Sequence, residues 1–214
     1  FAGISDTTTL SFTAADSAGP AIASSSPADN ATGVAVDANI ILTFDENVVV
    51  GSGNITLKKS SDNSTVQAMP VGGGNVSASG AVVTINPSAN LDSSQGYYIQ
   101  IAATAFDDAS GNSYAGVNDT TSLNFTAADV LGPTLSSSSP ADNATGVAGG
   151  ANIVLTFNEN VVLGSGNVSL YKTNGTLVEA MNVSSSAVTA STNTVTINPT
   201  ANLVTLEGYY ILID

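Results

Sequence analysis

The sequence predicts an all-β protein of tandem antiparallel β-sandwiches with Greek-key topology. Three observations carry that prediction. One 31-residue passage occurs twice, apolar residues recur at the two-residue period of strands, and Pro, Gly, Asn and Asp cluster between the runs.

The repeat sets the domain count. Residues 24–54 (SSSPADNATGVAVDANIILTFDENVVVGSGN) return as residues 137–167 (SSSPADNATGVAGGANIVLTFNENVVLGSGN). Pro27 aligns with Pro140, Phe44 with Phe157 and Glu46 with Glu159, each 113 residues apart (140 − 27). A period this long means a whole domain per repeat, not a turn of a solenoid. Residues 1–16 (FAGISDTTTLSFTAAD) match residues 114–129 (YAGVNDTTSLNFTAAD) at the same offset. The expected division is therefore the C-terminal strand of a preceding repeat at 1–16, a complete repeat at 17–129, and a second repeat lacking its last strands at 130–214. Later the offset falls to 112, with Pro87 opposite Pro199 and Tyr97 opposite Tyr209. The one-residue deletion is expected between Gly72–Gly74 and its Ser/Thr-rich counterpart, where a surface loop tolerates it.

Each strand has its own signal. Residues 38–44 alternate, with Ile40, Leu42 and Phe44 on one side. Residues 54–58 follow a Gly-Ser-Gly turn, and 64–69, 75–78 and 81–85 come next. Residues 97–103 place Tyr97, Ile99 and Ile101 on one face, and 121–126 place Leu123 and Phe125 inward. Thr, Val and Ile favour strands, and no stretch sustains a helical period. About seven short strands in about 110 residues describe an Ig-like or fibronectin-like sandwich. Leu91 followed six residues later by Tyr97, and Leu203 by Tyr209, is the spacing of a tyrosine corner.

Taken together, these residues resemble the bacterial Ig-like domain of the SbsA type. The resemblance rests on an opening turn (Pro27, Asn30, Ala31, Val34), a strand end (Ile40, Leu42, Phe44, Glu46), the Leu91–Tyr97 step, an Asp-rich turn (Asp108, Gly111, Asn112) and a last strand (Phe125, Thr126). It implies the fold above and a place in S-layer proteins, large surface adhesins or other extracellular repeat proteins. Asp45 departs from the pattern in the second copy, where Asn158 replaces it.

Composition excludes several functions. Seventeen acids face three bases, a net charge of −14, which repels phosphate backbones and argues against nucleic-acid binding. No apolar run is long enough for a membrane span. With no His and no Cys, the usual nucleophile–base pairs and thiolate metal sites are missing, so no enzyme is expected.

The acids do suit calcium. In an Ig-type sandwich the first strand's start, the B–C loop and the F–G loop share one pole. That gathers Asp16, Asp45, Glu46, Asp107, Asp108 and Asn112 at a domain junction, with Asp129 and Glu159 as counterparts in the next copy. Hard oxygen ligands so gathered suit Ca²⁺, which takes six to eight of them.

Ten Asn-x-Ser/Thr triplets, Asn30, Asn143 and Asn174 among them, would accept N-glycans where exposed. The Tyr and Phe mostly fall at core-phase positions, so no aromatic platform for sugar is expected.

The functional expectation is an extracellular or cell-surface structural repeat forming a stalk, S-layer segment or filament. Its partners are neighbouring identical repeats, head to tail. The chain reads first as an excerpt of a longer tandem array, and second as a subunit whose residues 1–16 act as a donor strand for the next copy; in either case neighbouring repeat sequence completes the missing strand. Short Gly-Pro linkers (Gly19–Pro20, Gly132–Pro133) limit bending. An adhesin module binding glycans or proteins is the alternative, and an accessory module of a secreted enzyme a third.

Overall fold

A computed structural model describes Gly3, Thr7, Thr8 and residues 10–214. The chain forms two compact units, Phe1–Val130 and Leu131–Asp214. No described helix is long and apolar enough to cross a membrane.

In chain order unit 1 carries β1 (Ile22–Ser26), β2 (Ala31–Val34), β3 (Ile40–Phe44), β4 (Val49–Val50), β5 (Asn54–Lys59), β6 (Thr65–Pro70), β7 (Val76–Ser79), β8 (Val82–Ile85), β9 (Gly96–Ile101), β10 (Phe106–Asp107) and β11 (Asn124–Ala127). One sheet runs β1-β3-β8-β7 and the other β2-β11-β9-β5-β6, with β4 and β10 forming a two-stranded ribbon. Alternation decides what faces inward. Ile40, Leu42 and Phe44 are buried, as are Ile55 and Leu57 of β5 and Tyr97, Ile99 and Ile101 of β9. These side chains meet Met69, Val83, Ile85 and Phe125 in one core.

The strand pairing differs from a purely antiparallel sandwich in one place. β2 lies parallel to β11, with Ala31 opposite Phe125 and Val34 opposite Ala127. The chain leaves one sheet after β1, turns through Asn30 in the left-handed region (φ 60°), and joins the other sheet's edge as β2. Asn30 N–H donates to the Asn124 carbonyl (2.8 Å), and the Asp29 carboxylate accepts from Asn124 N–H (3.0 Å), fixing the crossing. β1, β2, β4 and β10 have no strong sequence signal, because β1 and β2 alternate poorly and β4 and β10 are two residues each.

Both tyrosine corners form. Asp92 N–H donates to the Tyr97 hydroxyl (2.8 Å), and Val204 N–H donates to the Tyr209 hydroxyl (2.7 Å). The ring of Tyr97 also lies 5.9 Å from that of Phe125, so one side chain ties a loop, β9 and β11 together.

Unit 2 contains β12 (Leu135–Ser139), β13 (Ile153–Phe157), β14 (Asn167–Lys172), β15 (Leu177–Asn182), β16 (Val188–Ser191), β17 (Thr194–Ile197) and β18 (Tyr209–Ile213). Its sheets run β12-β13-β17-β16 and β15-β14-β18, reproducing β1-β3-β8-β7 and the β6-β5-β9 part of unit 1. Leu155, Val168, Leu170, Met181, Val188 and Ile197 form its core.

The register moves the one-residue deletion. β5 and β14 begin 113 residues apart (167 − 54), but β6 and β15 begin 112 apart (177 − 65). The deletion therefore lies in the hairpin after β5, not beside Gly72–Gly74. Hairpin tips absorb a length change because the strand pairing on either side fixes the register.

Residues 1, 2, 4–6 and 9 of the expected first strand lie outside the described residues. Residues 11–14, which match β11, are not in a strand, and Leu10 and Phe12 are 72% and 90% exposed.

Tyr97→Phe removes the acceptor for Asp92 N–H and is expected to cost about 1 to 3 kcal/mol in urea unfolding. The Asp119 carboxyl is held at about 2 by the Ser122 hydroxyl and the N–H groups of Thr121 and Ser122. Because the folded value is depressed, its stabilisation is complete above the ordinary value of 3.8 and is lost as pH falls toward 2. An NMR titration should find that midpoint near 2, and Ser122→Ala should raise it.

Candidate functional site

The pole of unit 1 where β3 ends is organised by aromatic packing. Phe44 closes β3 and meets Phe106 edge-on at 5.4 Å and Tyr114 at 5.3 Å. Phe44 is followed by Asp45 and Glu46, and Phe106 by Asp107 and Asp108. Two pairs of acids thus leave the core side by side. The linker brings a third stretch. A Cβ on Gly19 would collide with the Ser113 carbonyl oxygen, so only glycine lets the chain lie this close to the loop. The buried Pro20 follows, and Asp16 lies a few residues upstream.

Asp16, Glu46 and Asp108 each offer a carboxylate oxygen, and these oxygens all lie within 4.8 Å of one another. Asp16 is exposed, Glu46 half-buried and Asp108 buried. The cluster could hold a metal ion.

Asp108 and Glu46 are shifted in opposite directions. Burial pushes Asp108 up, but hydrogen bonds outweigh it and hold the group below the ordinary range. Asn112 donates its side-chain amide to one carboxylate oxygen and its N–H to the other, both at 2.7 Å. Glu46 is raised by loss of hydration and then by the negative charges of Asp108, Asp16 and Asp45. The site therefore contains a fixed buried anion and a second carboxylate whose ionisation the first opposes.

A family profile described as bacterial Ig-like domain matches residues 16–127 and again 129–214. The chain belongs to the bacterial Ig-like domain family. Among solved structures it is similar to the N-terminal part of the bacterial S-layer protein SbsC, at 13% identity and a TM-score of 0.35, over 91% of this chain and 43% of that one. A longer SbsC structure, residues 31–844, gives 13% identity and a TM-score of 0.34, over 91% of this chain and 25% of that one. The chain thus spans less than half the length of either. No curated protein matches it.

The other expected ligands of this bacterial Ig-like pair have separate occupations. Asp45 accepts from Ala21 N–H (2.8 Å), joining the start of the first strand to the end of β3. In unit 2, Asn158 accepts from Thr134 N–H (2.7 Å) in the same way. That role needs an oxygen acceptor and no charge, which explains the exchange of Asp for Asn. Asp107 accepts from the Ser113 hydroxyl, and Asn112 serves Asp108. Asp129, in unit 1, accepts from the Ser93 hydroxyl (2.9 Å). Glu159, in unit 2, lines an apolar cleft with Phe157, Leu155 and Val195. In the sequence the only sign of this role for Gly19 is its place before Pro20.

Two tyrosines of unit 2 are exceptions to the core-phase placement of the aromatics. Tyr171 and Tyr210 do not face the core; they stack at 5.3 Å with an 11° interplanar angle, and Tyr210 is 40% exposed. Their counterparts are Lys58 and Tyr98, with the Lys58 ammonium 6.0 Å from the Tyr98 ring and Tyr98 buried. The change at one position, Lys to Tyr, replaces a covered cation–ring pair with a ring pair.

Glu46→Gln tests the electrostatics. A raised carboxyl contributes stability that is complete below its ordinary value of 4.5 and is lost as pH rises through the folded value. In chelator, the variant should therefore melt higher than the parent at neutral pH, and the difference should vanish in acid where Glu46 is protonated.

Proposed function

We propose that the chain is a structural segment of an extracellular or cell-surface repeat protein, with Ig-like sandwiches arranged head to tail as a stalk, surface-layer segment or filament. The observation that carries this reading is the repetition of one sandwich with the same turns, in which unit 2 rebuilds the β1-β3-β8-β7 sheet strand for strand. A repeated domain with repeated loops suits mechanical work, because each copy bears load in the same way.

Calcium completes the reading. Asp16, Glu46 and Asp108 supply three of the six to eight oxygens that Ca²⁺ takes, and water supplies the rest. The ion would relieve the repulsion on Glu46 and pin the linker residue Asp16 to the two loops. Ca²⁺ at a hundred times its Kd should stabilise the protein by about 3 kcal/mol. Thermal melts with Ca²⁺ and with chelator check this, and Glu46→Gln should reduce the difference. Superimposed curves would remove calcium from the proposal.

Neighbouring repeats are the partners. In unit 1, β11 pairs with β9, with Phe125 opposite Tyr97. Residues 11–14 repeat the β11 sequence with Ser11 in place of Asn124, and β18 is the counterpart of β9. Strand addition by repeat sequence onto β18 would bury the Phe12 type of side chain, as Phe125 is buried in unit 1. Where a second copy supplies that strand, growth is head to tail and non-closing. Light scattering and electron micrographs test it: fibres lost on Phe12→Asp support donation between copies, and monodisperse short rods rule it out.

A second reading, a module that binds surface glycans, is favoured by the Tyr171–Tyr210 pair alone. Glycan retention that disappears on Tyr171→Ala would favour it over the structural role.

A further inference from the structure

Asn174 is the only asparagine in the chain followed by glycine. It lies on the exposed tip of the β14–β15 hairpin. We propose that this hairpin is a site of spontaneous self-modification, in which Asn174 loses its side-chain amide to become aspartate or isoaspartate.

The chemistry needs only water. The Gly175 main-chain nitrogen gives its proton to solvent base and forms a bond to Cγ of Asn174. The tetrahedral centre collapses, the C–N bond to the side-chain amide breaks, and ammonia leaves with a proton. Water then opens the five-membered succinimide at either carbonyl. Opening at one gives aspartate, and opening at the other gives isoaspartate, with the main chain running through Cγ. No oxidant or reductant takes part.

Local geometry favours the step in two ways. Gly175 has no side chain to shield its nitrogen, and a Cβ built there would meet nothing within 4 Å, so the space is open. Thr176 N–H donates to Asn174 Oδ1 at 3.0 Å. That bond polarises the carbonyl and faces the oxygen on which negative charge develops. One contact opposes the reaction: Gly175 N–H donates to the Lys172 carbonyl at 2.9 Å. This bond closes an exposed hairpin tip, where local opening costs little compared with global unfolding.

Unit 1 provides an internal control. Its hairpin is one residue longer, and Asn63 there precedes Ser64. The Tyr98 hydroxyl donates to Asn63 Oδ1 at 3.0 Å, so Oδ1 accepts a hydrogen bond in both hairpins and what separates them is the side chain of Ser64 beside the attacking nitrogen. The shorter hairpin therefore carries the reactive pair and the longer one an asparagine followed by serine. The product adds one negative charge at the tip of unit 2, beside the Lys172–Glu207 ion pair.

The test is to incubate the full chain at mildly alkaline pH, and in parallel in weak acid, and to follow it by peptide mass mapping and enzymatic isoaspartate methylation. The expected result is a one-dalton gain confined to the peptide with Asn174, faster in alkali, with methylation at the same place. Gly175→Ala should slow it by an order of magnitude or more, and Asn174→Gln should abolish it. Circular dichroism before and after keeps folded and unfolded material distinct. A gain that begins at Asn63 or another asparagine, that is indifferent to Gly175→Ala, or that occurs only in urea would overturn the proposal.

Discussion

Phe44, Phe106 and Tyr114 form the contact on which the pole of unit 1 depends. Their edge-on packing buries three rings where β3 ends and the β10 ribbon begins. Each such pair is worth about 0.5 to 1.5 kcal/mol beyond its buried area. The larger consequence is positional. A ring fixed in the core fixes the direction of the next two residues, so Glu46 and Asp108 emerge toward the same point. Burial also pushes the Tyr114 phenol up to about 12, with help from the Asp119 carboxylate, and keeps that ring neutral. The acids that follow Phe44 and Phe106 thus come close enough for the Asp108 charge to oppose ionisation of Glu46.

Local spacing was legible in the sequence. The Leu91–Tyr97 step announced a hydroxyl reaching back over a loop, and the hydrogen bond from Asp92 N–H is there. Alternation in β3, β5 and β9 announced which side chains face inward. The parallel β2–β11 pair was not legible, because Ala-Thr-Gly-Val has no alternation and its partner lies almost a domain away. Residue type and spacing also could not separate a metal ligand from the residue that orients it. Asn112 and Asp108 share one Asp-rich turn, and only the direction of the amide makes Asn112 a donor to the carboxylate. Gly19 depends on a carbonyl nearly a hundred residues away, a relation that no local pattern contains.

Comparing the two copies separates what the fold requires from what it permits. Asp45 and Asn158 do the same work with different charge, so that position requires an acceptor. The corner tyrosines bond alike in both units. The hairpin after β5 changes length and the outer face of the sheet exchanges Lys58 for Tyr171, yet β14 keeps its pairing with both neighbours. Variation is thus concentrated where backbone pairing already determines the structure.

The parallel pairing of β2 with β11 also imposes an order in time. Strand β11 lies between β2 and β9, so the sheet of unit 1 reaches its full width only when Phe125 takes its place beside Ala31. As a chain emerges from the ribosome N-terminus first, β1 to β9 appear while that slot is still vacant. Closing such a long loop is slow, and the waiting edge is adhesive. In an array of near-identical repeats, several vacancies of the same shape would coexist with several strands able to fill them. Short-lived mispairing between neighbours is the natural hazard of synthesis for such a protein, and the Asp29 clamp on Asn124 is one of the contacts that rewards the correct closure.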